Sequence, residues 1–139
     1  MRAEAIARTL TLGAMSGMRS MAGPAVLAIN AEEQTPLTRA VPVMAIGEMI
    51  ADKMPFMGDR IDPLPLAGRA FMGAIVGGLI AREEDASMVL GGFLGAATAV
   101  IVAHLAYRAR MYASDRLGTS AGFIEDGVVV SMGAALTRR

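Results

Sequence analysis

Charge stands in the middle of two of the chain's apolar stretches, and this limits the fold more than any other feature. Arg19 lies inside the stretch from Thr9 to Ala31, and Glu125-Asp126 lie inside the stretch from Leu117 to Leu136. At the centre of a bilayer one Asp or Arg costs about 3 kcal/mol, while each large apolar residue returns roughly 0.5 kcal/mol. Leu117, Phe123, Ile124, Val128, Val129, Val130 and Leu136 therefore offset one acid but not two. Arg19 in the same way cancels Leu10, Leu12, Val26, Leu27 and Ile29. Neither segment is stable alone in lipid, so each needs other helices to receive its charge.

A bilayer is the relevant solvent because only 19% of the 139 residues are charged and 54% are apolar. Mean hydropathy is +0.48. The chain has 16 Gly, 12 Met and no Trp, so it resembles a bundle touching through small residues more than an aromatic core. Its length fits one domain, residues 1–139. The absence of Cys excludes a disulfide scaffold and a cysteine-ligated metal centre. Thirteen basic and thirteen acidic residues leave no net charge, which argues against a nucleic-acid partner. No nucleophile elbow, phosphate-binding loop, zinc-protease or dinucleotide motif is present, so the soluble enzyme classes that carry them, and a cofactor, are not expected.

Five apolar stretches are separated by charge and by breaker residues: Thr9 to Ala31, Ala40 to Ala51, Leu66 to Ala81, Ala86 to Tyr107 and Leu117 to Leu136. They predict an all-α integral membrane bundle of about five helices, at least two of them short or broken. Gly23-Pro24 interrupts the first, and Pro42 and Gly47 the second. Asp85 or Ser87 is the expected N-cap of the fourth. Arg2 and Arg8 ahead of an apolar run also fit a signal peptide, although Arg19 opposes that reading. Five crossings with the N-terminus cytoplasmic would place Arg2 and Arg8 opposite Arg82-Glu83-Glu84-Asp85, with most basic residues inside. Leu12-Gly13-Ala14 and Leu94-Gly95-Ala96, each followed by a short acidic segment at Glu48 or Glu125-Asp126, suggest an inverted repeat of the kind found in transporters.

Polar residues in these segments are the candidate site. Glu48 and Asp52 are four apart on one helix face, and Lys53 stands beside Asp52. Arg19 is the natural partner of an acid from another helix, with Glu48 and Glu125 the best placed. Such a pair either fixes helix register or lines a polar path. His104 and Arg108, also four apart, suit a proton relay or a solvated helix end. The acids are hard-cation ligands, but their spacing matches no known loop, so no metal is expected. Met15, Met18 and Met21 could ligate copper, yet Met at helical spacing usually packs. Gly13-xxx-Gly17, Gly73-xxx-Gly77, Gly91-xxx-Gly95 and Gly118-xxx-Gly122 allow close helix approach and predict a compact bundle, with a homodimer as the expected assembly.

The segment Gly17-Met-Arg-Ser-Met-Ala-Gly-Pro24 resembles the opening motif of a widespread family of small bacterial integral membrane proteins, catalogued as a domain of unknown function. Glu48-xxx-Asp52-Lys53-x-Pro55, then Asp59 and Ala67-Gly68-Arg69, is similar to its central block, and Glu125-Asp126 to its C-terminal acidic pair. The third motif departs from the family pattern, with Gly118-Thr-Ser-Ala-Gly-Phe123 ahead of the acids. The resemblance implies an inner-membrane protein whose polar motifs form one site, adding Lys53, Asp59 and Arg69 to Arg19, Glu48, Asp52, Glu125 and Asp126. It brings no assigned reaction. The expected function is a small transporter or channel for an ion or small polar solute. The alternatives are an assembly protein whose buried ion pairs specify packing and, third, an intramembrane enzyme acting on a lipid headgroup.

Overall fold

The computed structural model describes residues 1–51, 61–118 and 120–137, and these form six helices with no strand among them. They are α1 (Ala3–Met18), α2 (Ala22–Ile29), α3 (Pro36–Ala51), α4 (Pro63–Glu83), α5 (Met88–Leu117) and α6 (Ser120–Thr137). Where the sequence predicts one interrupted first helix there are two. Pro24 is the cause: in a continuous helix its ring would meet the Ser20 carbonyl and its missing N–H would leave that carbonyl unbonded. In the first turn of α2 the same proline removes no bond, because those N–H groups have no intrahelical acceptor.

α1 therefore ends at Arg19, which is extended with φ −141° and ψ 121°, and the chain reverses there. Reversal follows from Gly23, which lies directly against the Leu12 carbonyl and the Ser16 hydroxyl. Eleven residues of continuous helix would hold those positions about 16 Å apart. A Cβ on residue 23 would stand 2.5 Å from the Leu12 oxygen, so the turn requires glycine.

The centre of the bundle is a glycine seam. α4 and α5 form the largest interface, followed by α1 with α5 and α1 with α4. Gly77 abuts Gly91 and, one turn further, Gly73 abuts Gly95, so α4 and α5 run antiparallel at backbone contact. Gly13 meets the other side of Gly95, where a Cβ would stand 3.0 Å from its carbonyl, and Gly17 meets Ala99. Three of the four small-residue pairs in the sequence are thus consumed within one chain, so they do not themselves argue for a dimer. The fourth serves otherwise: Gly118 ends α5 at φ 59°, a left-handed value that favours glycine, and Gly122 sits under Arg110.

Helix directions correct two expectations. α1 and α5 run the same way, since Gly13 pairs with Gly95 and Gly17 with Ala99. An inverted repeat needs the helices carrying the two Leu-Gly-Ala segments to run oppositely, so that relation does not hold. Arg8 donates to Glu83 at 2.7 Å and Arg2 approaches Glu84 at 3.7 Å, which sets the N-terminus at the same end as the α4–α5 turn. The physical reason is the reversal at Arg19, since the first stretch enters and returns at one end and shifts the parity of every later helix. α6 comes back toward that end, where Asn30 bonds the Leu136 carbonyl at 3.4 Å. Ser87, not Asp85, caps α5, accepting from the Leu90 N–H at 3.3 Å.

Large apolar side chains lie outside the core as well as in it. Leu12, Met15, Val26, Val76, Ile80 and Val129 make a small core, while Leu64, Phe71, Val89 and Phe93 point outward. α4 and α5 are long and apolar enough to cross a membrane.

Candidate functional site

The reversal between α1 and α2 gathers the predicted polar residues. Arg19 is 2% exposed although it carries a permanent charge, and it is the largest fully buried side chain among the described residues. Its Nε donates to Asp126 Oδ1 at 2.9 Å, and its Nη2 donates to the same oxygen. A buried guanidinium is tolerated only with such a partner. The partner differs from the two best placed by sequence. Asp126 lies about 100° round α6 from Glu125, and it is this residue that faces α1. Glu125 turns toward α5, where Arg110 Nη1 approaches it at 3.9 Å.

Glu48 meets the reversal from α3 by another chemistry. One carboxylate oxygen accepts from the Ser20 N–H at 2.9 Å and from the Ser20 hydroxyl at 2.6 Å, and the other accepts from the Met21 N–H at 2.9 Å. Met21 is the N-cap residue of α2, so a carboxylate from a distant helix reaches the N-cap N–H as the third-residue Glu of a capping box usually does. Two orphan N–H groups are satisfied and the positive end of the α2 dipole is met by negative charge. Ser20 has no signal in composition or periodicity. Its place beside Arg19, just before Gly23-Pro24, is the one sequence clue that it would stand at a break.

Arg69 shares this level of the bundle. It lies one turn beyond Gly73 on α4, as Gly17 lies one turn beyond Gly13 on α1, and it is 4% exposed. The predicted Asp52, Lys53 and Asp59 lie outside the described residues. His104 and Arg108 are exposed on α5 and do not join the cluster. Met15, Met18 and Met21 form no stripe, because the helix ends between the second and third. Among the described residues no group of three or more His, Cys, Asp or Glu is placed to hold a metal ion.

Two further polar atoms stand near α1's buried face. The hydroxyls of Thr9 and Ser16 are fully buried with no hydrogen-bond partner among the described residues, one beside Gly77 and the other against Gly23. Together the groups at the reversal offer a cation held by a carboxylate, a carboxylate held by three donors, and non-helical backbone between them. Comparison with protein-family models, with curated proteins and with solved structures found no match to this chain.

Proposed function

We propose that this chain is a multi-pass protein of the bacterial inner membrane that passes an ion or small polar solute through the reversal at residues 19–21. The observation that carries this reading is the convergence of Glu48 from α3 and Asp126 from α6 on one interruption of helical backbone. Non-helical backbone at membrane depth is tolerated where it is buried in protein or lines a cavity, and in secondary transporters such broken helices hold the substrate site. The outward placement of large apolar side chains and the two long apolar helices support a bilayer setting.

A purely structural role is the second reading, and the direct contact of Arg19 with Asp126 favours it, since a buried charge met by its opposite can serve packing alone. Flux in proteoliposomes separates the two. Wild-type protein is assayed against protons, alkali cations, halides and small polar solutes, beside Glu48→Gln. Transport of at least one of these above protein-free vesicles, lost in Glu48→Gln at unchanged helicity, supports the first reading. Flux at the protein-free rate for the whole panel supports the second.

A further inference from the structure

We propose that Ser16 and the backbone N–H of Gly23 seat a small monovalent anion, of halide size, between the last turn of α1 and the first turn of α2. Hydroxyls inside the helices of this chain mostly satisfy themselves. Thr11, Thr98 and Ser131 donate to the carbonyls of Ala7, Leu94 and Gly127, each four residues back, at 2.7–2.8 Å. Ser16 is 0% exposed and makes no such bond to Leu12, nor any other among the described residues. A buried hydroxyl without a partner is worth less to the fold than the methyl of alanine, so serine at this place points to a ligand. Gly23 holds the other half of the seat. Ala22 donates its N–H to the Arg19 carbonyl and Glu48 takes those of Ser20 and Met21, but among the described residues the Gly23 N–H has no acceptor. A Cβ on residue 23 would stand 2.3 Å from Ser16 Oγ, which puts that oxygen within about 5 Å of the Gly23 nitrogen by covalent geometry. One monatomic ion can bridge two donors at that spacing.

The groups around the seat decide the sign of its occupant. Both oxygens of Glu48 and Oδ1 of Asp126 are already engaged by donors. The Leu12 carbonyl, also against Gly23, is committed to the α1 ladder. Arg19 carries a permanent charge just past Ser16, and the first turn of α2 is that helix's positive end. Both repel a cation and favour an anion, while the two carboxylates limit the anion to a single charge. Thr9, seven residues before Ser16 on the same side of α1, is also buried without a partner among the described residues. It stands against Gly77 within α4, where no first-turn N–H is offered, and so serves as the control. The proposal rests on the reading of the reversal as a solute site and names the class of solute.

Occupancy is read without transport. Thermal unfolding of the purified full chain in a non-ionic detergent is followed as sodium gluconate is replaced by sodium chloride or bromide at constant ionic strength, and again with potassium for sodium. Wild-type protein is expected to be stabilised saturably by halide, whichever cation accompanies it. Ser16→Ala is expected to unfold in gluconate no earlier than wild type, because it loses only an unpaired hydroxyl. It is expected to need at least tenfold more halide for the same shift, while Thr9→Val keeps the wild-type response. Equal halide shifts in wild type and Ser16→Ala, no halide shift in wild type, or a shift that follows the alkali cation each overturn the proposal. Cation flux in proteoliposomes without a halide response overturns the anion seat and leaves the transport reading standing. A halide response that depends on Ser16, with no flux of any solute, upholds the seat and overturns transport.

Discussion

Arg19, the extended residue that ends α1, is held by Asp126, 107 positions later on α6, through an Nε–Oδ1 hydrogen bond of 2.9 Å. One buried ion pair thus ties the first reversal of the chain to its last helix. Removing one partner leaves the other charged and buried, which costs about 3–5 kcal/mol. Asp126→Ala is expected to lose that much in denaturant unfolding of the purified protein in detergent. Arg19→Met combined with Asp126→Leu is expected to recover most of it, since a well-packed apolar pair replaces a desolvated ionic one. A loss below about 0.5 kcal/mol for Asp126→Ala alone contradicts the pairing.

Glycines in the seam and glycines elsewhere are expected to respond with opposite signs. A Cβ at Gly77 or Gly95 would overlap the backbone of Gly91 or Gly73, and backbone yields far less easily than a side-chain tip. Gly77→Ala is expected to cost about 3 kcal/mol or to prevent folding. Gly127 is helical, and a methyl group added there would have nothing within 4 Å, so Gly127→Ala is expected to stabilise by roughly 0.5–1 kcal/mol. Equal effects at the two positions in thermal unfolding contradict the seam.

Topology gives a third test. Arg2, the α4–α5 turn and the end of α6 share one end of the bundle, and Arg108, Arg110 and Arg116 lie along the opposite end of α5. In membranes, single Cys residues at positions 2, 87 and 134 are expected to react with an impermeant thiol reagent from one side. Tyr112→Cys is expected to react from the other. The basic end is the expected cytoplasmic side. Labelling of positions 2 and 87 from opposite faces restores the five-crossing arrangement read from the sequence.

The helical class, the interruption at Gly23-Pro24 and the need to neutralise Arg19 were legible in the sequence because each rests on a large local cost. A buried charge, a proline inside a helix and a Cβ against backbone each cost several kcal/mol, and few neighbours can offset them. Direction was not legible. Nothing local distinguishes a first stretch that crosses from one that reverses halfway, and the reversal depends on Gly23 meeting Leu12 across the turn. Partner choice failed for a similar reason. Glu125 and Asp126 are adjacent in sequence but about 100° apart on the helix, so only the packed orientation of α6 selects the acid that meets Arg19. The role of Ser20 was hidden because its contribution to Glu48 is half backbone, and backbone donors have no sequence signature.

Water access to the reversal is the measurement that most directly tests the proposed site. Ser20 is half-buried beside fully buried Arg19, and its level is about 20–25 Å from the N-terminal end of α1 by helix rise. Ser20→Cys in an otherwise thiol-free chain is exposed in proteoliposomes to a small impermeant cationic thiosulfonate, with Tyr112→Cys as the exposed reference. The expected result is modification of residue 20 from one face only, slower than at residue 112, and slowed further by whichever solute the flux panel identifies. A thiol at residue 20 that stays unreactive from both faces, while residue 112 reacts at once, marks a dry structural pair and contradicts a transport site.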